Sequence, residues 1–531
     1  MTIYYMRADG TAANKAAATS ASDATTAMDL SVHNGETFLA GDIIVLSSIG
    51  GVFRGLSGAV IPLPSSGSSG NRIRYIGDDT QNDKPIVSGA ADLTDTATYR
   101  WTESASGTNE YYCELLAGGN PSLSDPVYLW IDKARATEGT LGSLADEEWA
   151  YGNSGAELGY NTVYYRSDQG DPDTLDILIE AIQANSAMNV NFRNYLEFID
   201  IEAQMCKING WVVGNGDNFL FERVRGAYVS GNGLLLFDGG AATIDDAMVR
   251  DCEFDWNLNS GMTSLEENNR LTIINNDFHH NTLLGTGGGN IGGLHVKCDD
   301  DKRADDVLIK GNRAWANGES GVAAATGYGM YIDSLGTGCR VTQNTCKENN
   351  ADGMVYEWID GGIVDFNILY LNGAHGLGMW RRSNSNQILS NTTYANGQVT
   401  TFKHGMFLSG PDEGPGFTMS DNVVKYNISH SAPTDCLNVE CDGGMRNDGT
   451  HGSGNVYDSN VFSDGVGNKH NWGGTPYASA AAWEAAATGV TNTISATPIR
   501  SNDTSKRHNM LRHTHIDPSK QEDRLTASHN V

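Results

Sequence analysis

The sequence has few basic residues and no long apolar run. Lys and Arg number 35 against 65 Asp and Glu, so the 531-residue chain has a formal net charge of −30. Such a charge repels nucleic-acid phosphates and anionic lipid headgroups, so we predict no nucleic-acid partner. No stretch of about 18 apolar residues occurs, which excludes a membrane-spanning helix and predicts no membrane insertion.

Paired cysteine motifs and a visible export signal are also missing. The eight cysteines form no CxxC pair and show no zinc-finger spacing, which favours buried free thiols. The first ten residues contain no basic segment followed by an apolar one, so no signal peptide is visible. We expect a protein that is extracellular after loss of a signal, or virion-associated and released by lysis.

The sequence does contain a five-residue motif that begins with glycine and recurs along the chain, which we call the first word. The successive glycines are 28, 32, 36, 24, 25 and 27 residues apart. The copies lie at 233–237, 261–265, 293–297, 329–333, 353–357, 378–382 and 405–409. Strand-forming residues at such steps, with little helical periodicity, indicate stacked coils that bury an inner face only against one another.

A second word, a β-branched residue or Tyr three positions before Asn, alternates with the first. The pairs are Ile273/Asn276, Ile309/Asn312, Val341/Asn344, Val364/Asn367, Ile388/Asn391, Val424/Asn427 and Tyr457/Asn460. An Asn repeated at one turn of every coil predicts a ladder, because each side-chain amide can bond to the next coil and satisfy otherwise buried polar groups.

Segments near both ends carry a resemblance to a known group of proteins. They lie at 41–46, 53–55, 84–89, 162–165, 170–173, 483–489 and 494–498. With the two words, they resemble the right-handed parallel β-helix (pectate-lyase-like) proteins: polysaccharide lyases, β-helical glycosidases, alginate epimerases and phage tailspikes. The resemblance implies an all-β, right-handed single-stranded parallel β-helix with capping elements, and a polysaccharide as partner.

This resemblance also suggests how the chain is organised. We expect an N-terminal cap and first coils at 1–100, an irregular β insertion or edge region at 101–190, and the main parallel β-helix at 191–470. A closing helix and strand follow at 471–500, and 501–531 form a tail that contains several histidines.

If the first word stacks in register, its residues alternate between the core and the outer face. Leu294, Val296, Met330 and Ile332 are then core residues, whereas the copy at 378–382 turns Arg381 inward and breaks the pattern. The first outward column is Leu235, Thr263, His295, Tyr331, Val355, Trp380 and Phe407. The second outward column is Phe237, Leu265, Lys297, Asp333, Glu357, Arg382 and Ser409.

We interpret these columns as a candidate catalytic site. Asp333 and Glu357 on neighbouring coils begin about 5 Å apart, which is nearer to the carboxylate separation of retaining glycosidases than to that of inverting ones. A lyase instead needs a base and a cation that stabilises the enolate. The residues available for these lyase roles are Lys297, His295, Tyr331 and Arg382.

Aromatic residues of the same columns are candidate substrate contacts. Tyr331, Trp380 and Phe407 offer flat rings to the apolar faces of sugars. Against a catalytic interpretation, the charges also fit ordinary cross-strand pairing, with Lys297 beside Asp333 and Glu357 beside Arg382.

A metal site is a separate hypothesis. Asp299, Asp300 and Asp301 follow the coil that bears Lys297, and their hard oxygens suit calcium, although a solvated acidic loop explains the same run. No other cofactor is expected.

Two functions remain open at this point. One is a protein that binds a surface or extracellular polysaccharide and cleaves it, by hydrolysis or by β-elimination. The other is a non-catalytic phage tailspike or tail-fibre protein, which by resemblance would form a homotrimer. The net charge favours a neutral glycan, because a polyuronate needs a local basic patch or bound calcium.

Overall fold

A computed structural model describes the chain apart from the gaps named here. They are 79–82, 238–242, 284–290, 299–301, 319–325, 381–382, 399–403, 410–419, 431–441, 448–453, 464–469, 473–474, 478–481, 483–484, 486–489, 492–493 and 497–531. The chain divides into unit 1, Met1–Asp299, and unit 2, Asp300–Val531. Each unit consists mainly of short strands in three parallel sheets, which we call sheets I, II and III.

In unit 1 the coils run from sheet II to sheet III and then to sheet I. Sheet I contains Ala59–Pro62, Ser186–Asn189, Asn209–Gly214, Asn232–Phe237, Met262–Leu265 and Gly292–Lys297. Sheet II contains Ile3–Met6, Ile43–Leu46, Ile73–Gly77, Leu196–Ile199, Phe219–Glu222, Met248–Arg250 and Thr272–Ile274. Sheet III contains Phe53–Arg54, Ile86–Ser88, Glu202–Gln204, Arg225–Ala227, Glu253–Asp255 and Asp277–His279.

Unit 2 repeats this arrangement. Its sheet I contains Tyr328–Asp333, Met354–Glu357, Leu377–Trp380, His404–Ser409, Asp442–Asn447, His470–Trp472 and the antiparallel Thr475–Tyr477. Its sheet II contains Leu308–Lys310, Arg340–Thr342, Ile363–Asp365, Gln387–Leu389, Val423–Lys425, Val456–Asp458 and Val490–Thr491. Its sheet III contains Arg313–Trp315, Thr345–Lys347, Ile368–Tyr370, Thr392–Tyr394, Ile428–His430, Val461–Ser463 and Ile494–Ala496.

Two antiparallel sheets interrupt the coils of unit 1. The first sheet contains Ala134–Arg135, Leu129–Ile131, Ile179–Ile182 and Ala90–Asp92. The second contains Trp149–Gly152, Thr162–Arg166, Glu110–Leu115 and Tyr99–Glu103. Trp101, Trp149 and Tyr165 belong to a core that draws residues from both sheets, so this insertion buries apolar surface of its own.

Helices are few and short among the described residues. The α-helix Leu30–Gly35 begins where the Asp29 carboxylate accepts the backbone N–H of Val32 at 2.8 Å. The 3-10 turns are Lys15–Ala17, Ala24–Thr26, Ser154–Ala156 and Pro172–Thr174. None of the described helices is long and apolar enough to cross a membrane.

The predicted asparagine ladder is confirmed. In unit 2 five ladder amides donate a side-chain N–H to the amide oxygen of the next coil, for example Asn344 to Asn367 at 3.0 Å and Asn367 to Asn391 at 2.9 Å. The ladder stands between sheets II and III, directly after a residue with a left-handed backbone, such as Gln343 at φ 59°. The repeated turn therefore satisfies its own buried polar groups.

The interior is apolar, as the alternation in the first word predicts. Leu294, Met330 and Ile332 are fully buried, and Val296 is nearly so. In unit 1, aromatic rings stack from coil to coil, with Phe198 and Phe221 5.0 Å apart between centroids. The expected buried free thiols are found at Cys113, Cys206, Cys252, Cys298, Cys339 and Cys346. Cys436 and Cys441 lie outside the described residues.

Candidate functional site

The outer face of sheet I in unit 2 carries the two carboxylates that the sequence singled out. Asp333 and Glu357 are direct partners on adjacent parallel strands, as predicted, and Tyr331 is the partner of Val355 in the same register. Adjacent parallel strands lie about 4.8 Å apart, so the two acidic side chains leave the sheet side by side.

The predicted register of the copy at 378–382 is wrong by two residues. Leu377 pairs with Met354, Gly378 pairs with Val355, and Trp380 pairs with Glu357. The copy of the word therefore starts at Gly376. This start buries Leu377 and Met379 in the core and ends the strand at Trp380, before the arginines.

The shift changes the composition of both columns. Trp380 leaves the first column, where Gly378 stands instead, and takes the place in the second column that Arg382 was predicted to hold. The expected pairing of Glu357 with Arg382 across the strands is therefore wrong, because Trp380 is the strand partner. Arg382 itself lies outside the described residues. The inward Arg381 required by the predicted register was the signal that could have revealed the slip.

Tyr331 and the two carboxylates form a tight group. The Tyr331 hydroxyl donates a short hydrogen bond to Oε2 of Glu357, and the Ser334 hydroxyl donates to Oδ1 of Asp333 at 2.8 Å. All three outward side chains are buried, with Tyr331 at 4%, Asp333 at 7% and Glu357 at 6% exposure. Burial, followed by the Glu357 charge, raises the pKa of Tyr331 well above its usual range, so this hydroxyl remains a donor.

A third carboxylate, Asp352, lies on the same face and was missed by the sequence reasoning. It is 4% exposed, and its Oδ1 accepts the backbone N–H of His375 at 2.7 Å. Burial raises the pKa of Asp352 to about 7, against the opposing effect of that hydrogen bond. Asp352 directly precedes Gly353, outside the columns built from the word, so alternation alone could not assign it to the outer face.

Gly378 lies next to both Trp380 and Asp352. A β-carbon placed on Gly378 would lie 2.4 Å from Nε1 of Trp380 and 3.3 Å from Oδ2 of Asp352. The missing side chain therefore lets the indole lie over the strand and brings the Asp352 carboxyl group beside it. Burial also raises the pKa of Tyr328, which the charges of Asp352 and Glu357 raise further.

Aromatic rings continue the face beyond Gly378. Phe407 pairs with Gly378 and stacks on His375, with ring centroids 4.5 Å apart and planes inclined by 7°. Trp380 meets Phe407 edge to face at 5.0 Å. Of the three predicted sugar contacts, Tyr331 and Phe407 are buried and Trp380 is half-buried. We call Tyr328, Tyr331, Asp333, Asp352, Glu357, His375, Trp380 and Phe407 the sheet I patch.

The remaining candidates belong to unit 1 or to undescribed residues. His295 and Lys297 lie on the strand Gly292–Lys297, with half-buried side chains that point outward as predicted. Burial, followed by the Lys297 charge, lowers the pKa of His295 to about 4, so its imidazole is neutral near pH 7. The predicted calcium ligands Asp299, Asp300 and Asp301 lie outside the described residues.

Comparisons with known proteins agree with this architecture. Residues 181–393 match the family model described as "Right handed beta helix region". No curated protein sequence matches the chain. The solved complex of XylC with xylose is 13% identical with a TM-score of 0.55, over 88% of this chain and 86% of that one.

Two further solved structures are more distant. A glycoside hydrolase is 9% identical with a TM-score of 0.49, over 91% of this chain and 98% of that one. The pectate lyase Pel9A is 12% identical with a TM-score of 0.33, over 95% and 90%. The three parallel sheets and the asparagine ladder, with the family match over residues 181–393, show that the chain has the fold of a right-handed parallel β-helix.

Proposed function

We propose that the sheet I patch binds a polysaccharide and hydrolyses its glycosidic bonds. The observation that carries this proposal is that the patch holds carboxyl groups in unlike environments. Glu357 accepts the Tyr331 hydroxyl, whereas Asp352 lies where burial raises its pKa to about 7. Glycoside hydrolysis needs such a division, with one carboxyl group that keeps its proton and one that acts as a carboxylate.

In this scheme Asp352 is the general acid. A carboxyl group whose pKa is near 7 can hold a proton at neutral pH and still release it to the departing glycosidic oxygen. Glu357 acts at the anomeric carbon, as the nucleophile or as the base that activates water. Asp333 is its neighbouring carboxylate, and the Tyr331 hydroxyl fixes the direction of the Glu357 side chain.

The half-buried Trp380 is the proposed sugar-stacking ring. It stands next to Glu357 in the strand register, so a sugar packed on the indole lies beside the reacting carboxylate. A neutral glycan suits this patch better than a polyuronate, because the carboxylates of Asp333 and Glu357 carry the same sign of charge as a uronate. Such repulsion favours hydrolysis of a neutral chain over β-elimination of a uronate.

A panel of polysaccharides tests the proposal. Reducing ends report hydrolysis, and ultraviolet absorbance of unsaturated sugars reports β-elimination. We expect new reducing ends without unsaturated products, and we expect Glu357→Gln to abolish them while Glu348→Gln, a half-exposed glutamate of unit 2, leaves them unchanged.

Three results would contradict the hydrolase. Unsaturated products would show a lyase instead. Glycan binding without any product would leave an adhesion protein of the tailspike kind. Hydrolysis that survives in Glu357→Gln would move the reaction away from the sheet I patch.

A further inference from the structure

A second group of ionisable side chains lies on the outer face of sheet III in unit 1. Asp255 and His279 are direct partners on adjacent strands, and Glu253 stands two residues before Asp255 on the same face. One ligand atom from each residue can be chosen so that all three lie within 4.8 Å of one another. Three side chains from two neighbouring coils therefore converge on one point.

The distances within this group suit a shared ion. Nε2 of His279 lies 3.1 Å from Oε1 of Glu253. Two ligands bound to one ion at about 2.0–2.2 Å have their donor atoms about 3 Å apart, so this pair needs little movement to bind. The Glu253 side chain is 44% exposed and the His279 side chain 12%, which leaves a path for an ion from solvent.

Neighbouring residues hold the carboxylates in place. Arg225 binds Asp255 through two hydrogen bonds, from Nε at 2.8 Å and from Nη2 at 2.6 Å, and it also donates to Glu202 at 3.0 Å. Nε of Arg225 also lies 3.8 Å from Oε2 of Glu253. Arg225 thus faces the three carboxylates of Glu202, Glu253 and Asp255, so negative charge remains in excess at the group.

His280 contacts the ring nitrogen of His279 that does not face Glu253. Its Nδ1 lies 2.9 Å from Nδ1 of His279, so one of these two nitrogens donates a proton to the other. In the tautomer in which His279 donates through Nδ1, its Nε2 carries the lone pair that binds an ion; in the other tautomer, His280 donates and Nε2–H of His279 donates to Glu253. Metal-bound histidines characteristically donate their second ring N–H to such an outer partner.

The position of His280 is itself fixed. Its ring stacks on Trp256 with centroids 4.4 Å apart and planes inclined by 9°. This stacking fixes the ring plane of His280 and with it the direction in which its Nδ1 faces His279.

We propose that Glu253, Asp255 and His279 bind one first-row divalent transition-metal ion, with His280 as the outer hydrogen-bond partner of His279. One imidazole and two carboxylates suit Zn²⁺, Co²⁺ or Mn²⁺, whereas Ca²⁺ and Mg²⁺ prefer oxygen ligands alone. The ion ties two coils of unit 1 together. This site is independent of the sheet I patch, and neither proposal depends on the other.

Titration of the full chain with Zn²⁺ and Co²⁺ tests the site. We expect one ion per chain from calorimetry, a visible Co²⁺ spectrum typical of nitrogen and oxygen ligands, and a Tm that rises with Zn²⁺ concentration. We expect His279→Gln and Glu253→Gln to weaken binding about 100-fold or more. His280→Phe keeps an aromatic ring on Trp256 but loses the acceptor nitrogen, so we expect about tenfold weaker binding.

Controls separate this site from other ligands in the chain. Glu222→Gln removes a unit 1 carboxylate that is also paired with arginine, Arg250, and we expect no change in binding. The same titration with His513→Gln and His515→Gln together tests the histidines of the tail. The proposal is overturned if the wild type binds no ion, if binding survives in His279→Gln and Glu253→Gln, or if only the tail substitutions remove it. It is equally overturned if Glu222→Gln weakens binding as much as Glu253→Gln.

Discussion

The asparagine ladder and the sheet I patch are both rows of buried polar side chains on neighbouring coils, yet they differ in chemistry. In the ladder, each amide is both donor and acceptor, so the Asn367 oxygen accepts from Asn344 while its nitrogen donates to Asn391. In the patch, Asp333 and Glu357 stand opposite each other with charges of the same sign.

This difference shows which row contributes to stability. Neutral amides that complete one another favour the folded state at every coil. Buried carboxyl groups at neighbouring positions lose hydration and repel each other, so they reduce stability. A row of carboxyl groups that lowers stability fits the function proposed for the sheet I patch, whereas the ladder needs no function beyond stability.

The largest expected effect is on catalysis. Glu357→Gln keeps the size and a hydrogen-bond acceptor for Tyr331 but cannot act as a nucleophile or base. We expect kcat to fall by about 10³-fold or more, with stability equal to or above that of the wild type because one buried charge is gone. Steady-state kinetics and urea unfolding of the same preparations measure both. A variant that loses stability in parallel with activity would show that Glu357 stabilises the fold, as the asparagines of the ladder do.

Asp352→Asn should change the pH dependence of stability. The pKa of Asp352 is raised from 3.8 to about 7 in the fold, so below about pH 4 both states are protonated and the aspartate carries no penalty. As the pH rises from about 4 to 7, the unfolded chain loses the proton and the folded chain keeps it, so the wild type loses stability.

The neutral asparagine lacks this penalty. We therefore expect Asp352→Asn to be more stable than the wild type by about 2–4 kcal/mol at pH 8, with a difference near zero at pH 4. Urea unfolding at pH 4, 6 and 8 measures it. A difference that stays constant with pH would show that Asp352 does not titrate as its surroundings imply.

Asn367→Ala tests the contribution of the asparagine ladder to stability. The substitution removes hydrogen bonds to Asn344, Asn391 and the carbonyl oxygen of Val341, and it leaves buried partners unsatisfied. We expect a loss of about 2–3 kcal/mol in the free energy of unfolding that hardly varies with pH. Glycan hydrolysis by the remaining folded protein should be unchanged, and Asn384→Ala, which removes an exposed hydrogen bond to the Asp360 carboxylate, is the matched control.

The sequence predicted the ladder better than the patch, for a physical reason. Asn344 and Asn367 recur at one turn because every coil needs the same hydrogen bonds there, so repetition itself revealed them. The patch depends on departures from repetition. Trp380 stands next to Glu357 because the strand starts two residues earlier than the word at 378–382 implied, and Asp352 reaches the face because Gly378 has no side chain.

The smallest effect is expected at the edge of the patch. Trp380→Ala removes the half-buried ring beside Glu357 while leaving the carboxyl groups in place. We expect about tenfold weaker glycan binding, seen as a higher KM or Kd with kcat nearly unchanged, because stacking contributes to binding more than to the reacting bond. Tyr394→Ala, an exposed aromatic of sheet III, is the control, and we expect it to bind glycan normally. If both substitutions weaken binding equally, the glycan contacts the outer faces of both sheet I and sheet III. Trp380 would then not be a specific sugar contact, and only its acidic residues would distinguish the sheet I patch from the rest of the surface.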